Sequence, residues 1–178
     1  MSNRNSLELD DPHLLDQCDV HVYKSSGPGG QHRNKVSSAV RLVHRPTGLT
    51  VHADDNRSQH QNKRLALRRL RLQIACMIRC PVDRLRPDPP AALKAFLPAS
   101  SIDQQTAGRI RINTKNESFY PIAAYLLDVL MAFEGKLSDS ASYVGISTSN
   151  LARVLMSDRH VLSAAQNIRK AFNLPPIK

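Results

Sequence analysis

Two alternating runs, "SAVRLVHR" and "LTVHA", meet at "RPTG", and this constrains the fold more than any other stretch of the chain. Alternation with a period of two places every second side chain on one face of a sheet. In the turn, Pro46 pre-sets its own φ and Gly48 accepts a positive one. Residues 38–53 are therefore expected to form an antiparallel hairpin. Upstream, "DVHVYKS" reads as a further, half-buried strand, preceded by a short helix near Pro12 to Gln17. Downstream, Ser58 is placed to cap a long helix that must end by Pro81. Leu67, Leu70, Ile74 and Met77, at spacings of three, four and three, form a stripe to pack on the sheet. Arg64, Arg68 and Arg71 lie beside that stripe. Leu65, Leu72 and Cys76 form a third, apolar face for the later chain to cover.

Beyond the helix the punctuation changes. Five of the eleven prolines fall in residues 81–98, including "RPDPP", which reads as a stiff linker and a domain boundary. "RIRI" at 109–112 suggests a short strand. Helices follow: one capped by Ser118, one capped by Ser138 and stopped at Gly145, one capped by Ser147, and one over Arg159 to Phe172. "ASYVGISTSNLARV" has the small, Gly and apolar offsets of a helix-turn-helix, which a plain helical bundle also satisfies. The expected organisation is an N-terminal extension (1–18), a sheet-and-helix domain (19–80), a linker (81–104) and a helical domain (105–178). The fold class is α+β: a small antiparallel sheet packed on a long helix, then a helical, helix-turn-helix-like C-terminal domain.

The composition fits one ordinary domain or two small ones. The 178 residues are 41% apolar with no Trp, so the cores are expected to be aliphatic. No apolar run approaches the roughly 20 residues of a membrane span, so no membrane association is expected. The acidic N-terminus (Glu8, Asp10, Asp11, Asp16) is unlike a signal or transit peptide, which makes cytoplasmic residence the expectation. Three cysteines, Cys18, Cys76 and Cys80, read as reduced, structural thiols. No ligand set at metal spacing accompanies them, so neither metal nor cofactor is expected.

Charge is unevenly spread. From Val20 to Arg79 there are twelve Lys and Arg against Asp54 and Asp55. From Cys80 onward twelve bases meet eight acids, and the first nineteen residues hold one base and five acids. A basic block on one folded unit is the footprint of a polyanion binder, with a merely solvated basic face as the alternative.

Inside that block lies "SSGPGGQHRNK", holding three of the seven glycines at Gly27, Gly29 and Gly30. Pro28 pushes Gly27 toward extended geometry, leaving Gly29-Gly30 as a neck without side chains that ends at Gln31. Gln31 is a poor acid, base or nucleophile. Its amide and backbone N–H suit water positioning and hydrogen bonding to developing negative charge. A phosphate-cradling loop is the other reading, but neither GxxxxGK[ST] nor GxGxxG spacing is present.

Taken together, "SSGPGGQHRNK", "SAVRLVHRPTG" and "RSQHQNK", in that order over about residues 19–79, resemble the catalytic domain of class I peptide chain release factors and their ribosome-rescue relatives. The resemblance implies peptidyl-tRNA ester hydrolysis in the peptidyl-transferase centre of the large ribosomal subunit. It makes Gly29, Gly30 and Gln31 the catalytic motif. It sets His32, Arg33, Asn34, Lys35, Arg57, Gln59, Asn62 and Lys63 against ribosomal RNA, and Arg64 and Arg68 extend that basic surface. The implied partners are the ribosome, P-site peptidyl-tRNA and a glutamine methyltransferase acting on Gln31, with the chain a monomer. Standard members carry a long codon-reading region ahead of the loop. Here about 28 residues precede Gly29, with no codon-reading tripeptide among them, and the chain ends "FNLPPIK" rather than in a basic tail. Codon-independent release in ribosome rescue is the expectation. A non-catalytic ribosomal RNA binder and a DNA-binding protein using the helical domain are the alternatives.

Overall fold

The hairpin forms where its turn chemistry puts it. In the computed structural model, which describes residues 4–24, 37–97 and 108–178, β1 (Cys18–Tyr23), β2 (Ala39–His44) and β3 (Thr50–Ala53) make an antiparallel sheet in that order. Gly48 sits at φ 69°, and its N–H and that of Thr47 both donate to the His44 carbonyl. Cross-strand partners share a face, so Val20, Leu42 and Val51 line up on one side, followed by Val22, Val40 and Ala53. On this inner face the β2 and β3 members are buried. Val20 and Val22 of the edge strand are each 41% exposed. The alternation in "DVHVYKS" therefore marks a strand but not a half-buried one, because β1 overhangs the core.

The long helix, α2 (Gln59–Met77), starts beside Ser58, whose Oγ accepts the Gln61 N–H at 3.4 Å. Leu67, Leu70 and Ile74 are buried as the stripe requires, whereas Met77, at the end of the helix, is exposed. Arg69 donates to the His52 carbonyl and pairs with Asp55 at 2.9 Å. Arg71 departs from its expected place beside Arg64 and Arg68. Its side chain is 2% exposed, paired with Asp11 and donating to the Leu9 carbonyl at 2.8 Å. It thereby ties in the N-terminal residues, where Asp10 caps α1 (Asp11–Asp16) and Leu7 and Leu14 are buried.

His44, fully buried, joins the turn to the same segment. Its Nδ1 lies 2.7 Å from Thr47 Oγ1 and its Nε2 3.0 Å from Gln17 Oε1. The Gln17 oxygen only accepts, so the proton is assigned to Nε2, and Nδ1 accepts from the Thr47 hydroxyl. Burial, helped by the Arg45 charge, holds the His44 pKa below its ordinary value. The folded state thus binds this proton less readily than the unfolded chain. The resulting stability is fully present above the unfolded value and is lost as pH falls from there through the folded one. Urea denaturation is expected to show stability falling as pH drops below the ordinary histidine range, with a shallower fall in His44→Gln.

The chain divides into two compact units, Met1–Ile74 and Ala75–Lys178. In the second, α3 (Ala91–Lys94), α4 (Phe119–Ala132), α5 (Leu137–Val144), α6 (Thr148–Met156) and α7 (Arg159–Ala171) form a helical unit. α4 is buried on nearly all sides. Its Asp128, 2% exposed, pairs with Arg79 at 3.2 Å and accepts the Cys80 N–H. The proline-rich residues are tied to these helices. Leu93 is fully buried, the Tyr143 hydroxyl donates to the Asp83 carbonyl, and the Arg84 guanidinium lies 5.1 Å above the Phe133 ring.

Gly145 ends α5 in the left-handed conformation at φ 80°. Ser147 caps α6 by accepting the Asn150 N–H, and Asp158 caps α7. Ser138 lies one residue inside α5 rather than capping it, and Ser118 occupies the cap position of α4 without a side-chain bond. "RIRI" is not a strand; Gly108 makes a single parallel bridge to Ile146. Among the described residues the class is α+β, with three strands and seven α-helices.

Candidate nucleic-acid interface and loop anchor

Gly29, Gly30, Gln31, His32, Arg33, Asn34 and Lys35 lie outside the described residues, but both ends of their segment are described. Tyr23 pairs with Ala39, so Lys24 and Ser38 leave the sheet side by side. Val40 pairs with Ala53, so β3 finishes at this same end. Residues 54–58 then turn into α2. The register therefore gathers both roots of the glycine segment and the start of α2 at one end of the sheet. The hairpin turn at 45–48 lies at the other.

Asn62 fastens this end. It is fully buried. Its Nδ2 donates to the Ser38 carbonyl at 2.7 Å and the Asn56 carbonyl at 2.8 Å, while its Oδ1 accepts the Asn56 N–H at 2.9 Å. Every hydrogen of this amide is used within the fold. The side chain expected against RNA therefore holds the root of the loop to the turn before α2. Asn62→Asp keeps the acceptor, removes both donors and aims a carboxylate at two carbonyls. It is expected to destabilise the unit by roughly 2–3 kcal/mol in urea melts, whereas a surface amide could be changed at little cost.

Arg57 and Gln59 are exposed around the start of α2, and Lys63 is half-buried. Arg64 and Arg68 follow on the outer face of the helix, both exposed. Among the described residues, these four cations have no ion pair. Partial burial would raise the Asp55 carboxyl, but the Arg69 hydrogen bond and charge outweigh it and hold the group below its ordinary range. Asp55 is thereby spent on Arg69. Among the described residues, this surface holds no cluster that could bind a metal ion.

Sequence reasoning missed the outer face of the sheet. His21, Arg41 and His52 are directly paired across the three strands and all exposed, and Tyr23 Oη reaches His52 Nδ1 at 3.4 Å. Strand alternation alone could have found them, since each sits opposite in parity to the buried row. Burial pushes the Cys18 and Cys76 thiols up to about 11, which favours their protonated form.

A small sheet backed by a helix brings the two roots of the glycine segment beside Arg57, Lys63, Arg64 and Arg68, cations without an ion pair among the described residues. The RF-1 domain family matches residues 14–117, more than half of the chain, and this protein belongs to that family. It is 56% identical over 55 residues to peptide chain release factor 1 of Limosilactobacillus reuteri, covering 31% of this chain and 15% of that protein. It is 57% identical over 69 residues to peptide chain release factor 1 of Levilactobacillus brevis (38% and 19%). With peptide chain release factor 2 of Helicobacter pylori the identity is 49% over 73 residues (39% and 20%). The chain thus matches at most a fifth of the length of these relatives.

Proposed function

We propose that this protein hydrolyses the ester between a nascent peptide and P-site tRNA in the peptidyl-transferase centre, and does so without reading a codon. The observation that carries the reading is "SSGPGGQHRNK" rooted beside a basic helix start, within a chain of the RF-1 domain family. Gly29 and Gly30 keep the tip free of side chains. The Gln31 N–H donates to the oxyanion that forms when water attacks the ester carbonyl, and the Gln31 side chain excludes larger nucleophiles. The ester C–O bond then breaks, and the tRNA ribose oxygen leaves with a proton.

His32, Arg33, Asn34, Lys35, Arg57, Gln59, Lys63, Arg64 and Arg68 seat the module on ribosomal RNA, and Asn62 positions the loop. A glutamine methyltransferase acting on Gln31, a monomeric state, a cytoplasmic location and a separate helical domain over residues 105–178 belong to the same proposal.

Release from ribosomes programmed with a stop codon, a sense codon or a truncated message tests the reading. Similar release at stop and sense codons, or greater release on the truncated message, is expected. Release confined to stop codons contradicts codon independence, and binding without release on any message makes the protein a non-catalytic binder.

A further inference from the structure

The helical unit holds a second charged surface built by one buried amide. Asn150, on α6, is 2% exposed. Its Oδ1 accepts the Ile110 N–H at 2.8 Å, and its Nδ2 donates to the Ile110 carbonyl at 3.1 Å. Two residues earlier, the Gly108 N–H donates to the Gly145 carbonyl at 2.8 Å. Ile110 is itself buried, so the segment is pinned through both its backbone and its side chain. Arg109 and Arg111, on either side of it, are both exposed. Arg153 lies one turn beyond Asn150 on α6, and Thr148 and Ser149 are exposed on the first turn of that helix. Neither Arg109, Arg111 nor Arg153 has an ion pair among the described residues.

We infer that Arg109, Arg111 and the outer face of α6 form one docking surface for the backbone of double-helical RNA, read by shape rather than by sequence. A helix that reads bases in a major groove presents several amides or guanidinia to base edges, whereas α6 exposes one guanidinium, that of Arg153. The one amide on α6 is spent on Ile110. What remains is two short hydroxyl side chains and three exposed cations, two of them on a pinned backbone. Those suit phosphates and 2′-hydroxyls along the shallow minor groove of an A-form helix, whose deep, narrow major groove admits no helix. The identity of the nucleic acid rests on the ribosomal reading above. The test is made off the ribosome, so the surface and the hydrolysis can fail separately.

The test is fluorescence anisotropy of the full chain with labelled 20-base-pair RNA and DNA duplexes over a range of salt. Arg109→Ala, Arg111→Ala and Arg153→Ala combined are expected to weaken RNA binding at least tenfold. They should also reduce the slope of log K against log salt by about two to three, as loss of one phosphate contact per arginine does. Lys170→Ala, which removes a charge from α7, should change affinity less than twofold. Asn150→Ala keeps every charge but frees the segment, and should weaken binding several-fold. The three arginines are exposed, so a melting curve of the triple variant should match that of the parent; the triple Arg→Lys variant, which keeps the charge, should bind within about threefold. Unchanged affinity and slope in the triple Ala variant would overturn the surface. Tighter, sequence-dependent binding to the DNA duplex would overturn the RNA assignment.

Discussion

Gln31→Pro is expected to slow peptide release about 10²- to 10³-fold, while Gln31→Ala retains measurable hydrolysis. The difference isolates the backbone. Alanine keeps the N–H proposed to stabilise the developing oxyanion, and proline removes it. Loss of one preorganised oxyanion donor typically costs a factor of that size. The Ala variant loses only what the side chain contributes: placement of water and exclusion of larger nucleophiles. It is therefore expected to accept small alcohols or amines in place of water more readily than the parent does. Single-turnover release at saturating protein reads both effects. Equal rates for Gln31→Pro and Gln31→Ala would remove the backbone donor from the mechanism.

Arg71→Ala is expected to produce the largest loss of stability, about 3–5 kcal/mol by urea denaturation. Three costs coincide in it. The Leu9 carbonyl and the Asp11 carboxylate lose their cation, and the long side chain leaves a void. Arg71→Met keeps most of the packed stem and should recover part of the loss. Asp11→Ala should cost somewhat less than Arg71→Ala, because the guanidinium retains the Leu9 carbonyl. Its effect should still exceed that of any exposed ion pair, because it leaves a cation inside the fold. Arg64→Ala and Arg68→Ala, two turns and one turn earlier on the same helix, should shift stability by no more than about 0.5 kcal/mol. A loss below about 1 kcal/mol for Arg71→Ala would mean that the N-terminal residues are not held as the structure has them.

The contrast among these arginines shows what the sequence made legible. Local chemistry sufficed for the hairpin, where Pro46 and Gly48 specify the turn, and for the starts of α2 and α6, where Ser58 and Ser147 supply the caps. It also sufficed for the buried stripe Leu67, Leu70 and Ile74. It failed where a residue's role is set by a partner far along the chain. Arg71 is within three positions of Arg68 and reads as the same kind of residue, yet Leu9 and Asp11 draw it inward. Asn62 looks like one more polar residue of "RSQHQNK" until Ser38 and Asn56 are seen around it. Asn150 looks like an exposed helix position until Ile110 lies against it. Val20 and Val22 failed differently: their alternation is genuine, but nothing local states that β1 overhangs the core. For the candidate site, motif order nominates the residues. What brings the loop roots and the start of α2 to one end of the sheet is strand register, which no single motif encodes.

The most direct measurement is single-turnover release of a labelled peptide from purified ribosomes holding peptidyl-tRNA in the P site, comparing the parent with Gly29→Ala combined with Gly30→Ala. Both proteins are expected to bind these ribosomes with similar affinity and to melt at similar temperatures. The parent is expected to release the peptide, and the double variant to release it no faster than spontaneous hydrolysis. Equal release by the two proteins, or binding by the parent without release, would contradict the assignment of this chain as a peptidyl-tRNA hydrolase acting through Gly29, Gly30 and Gln31.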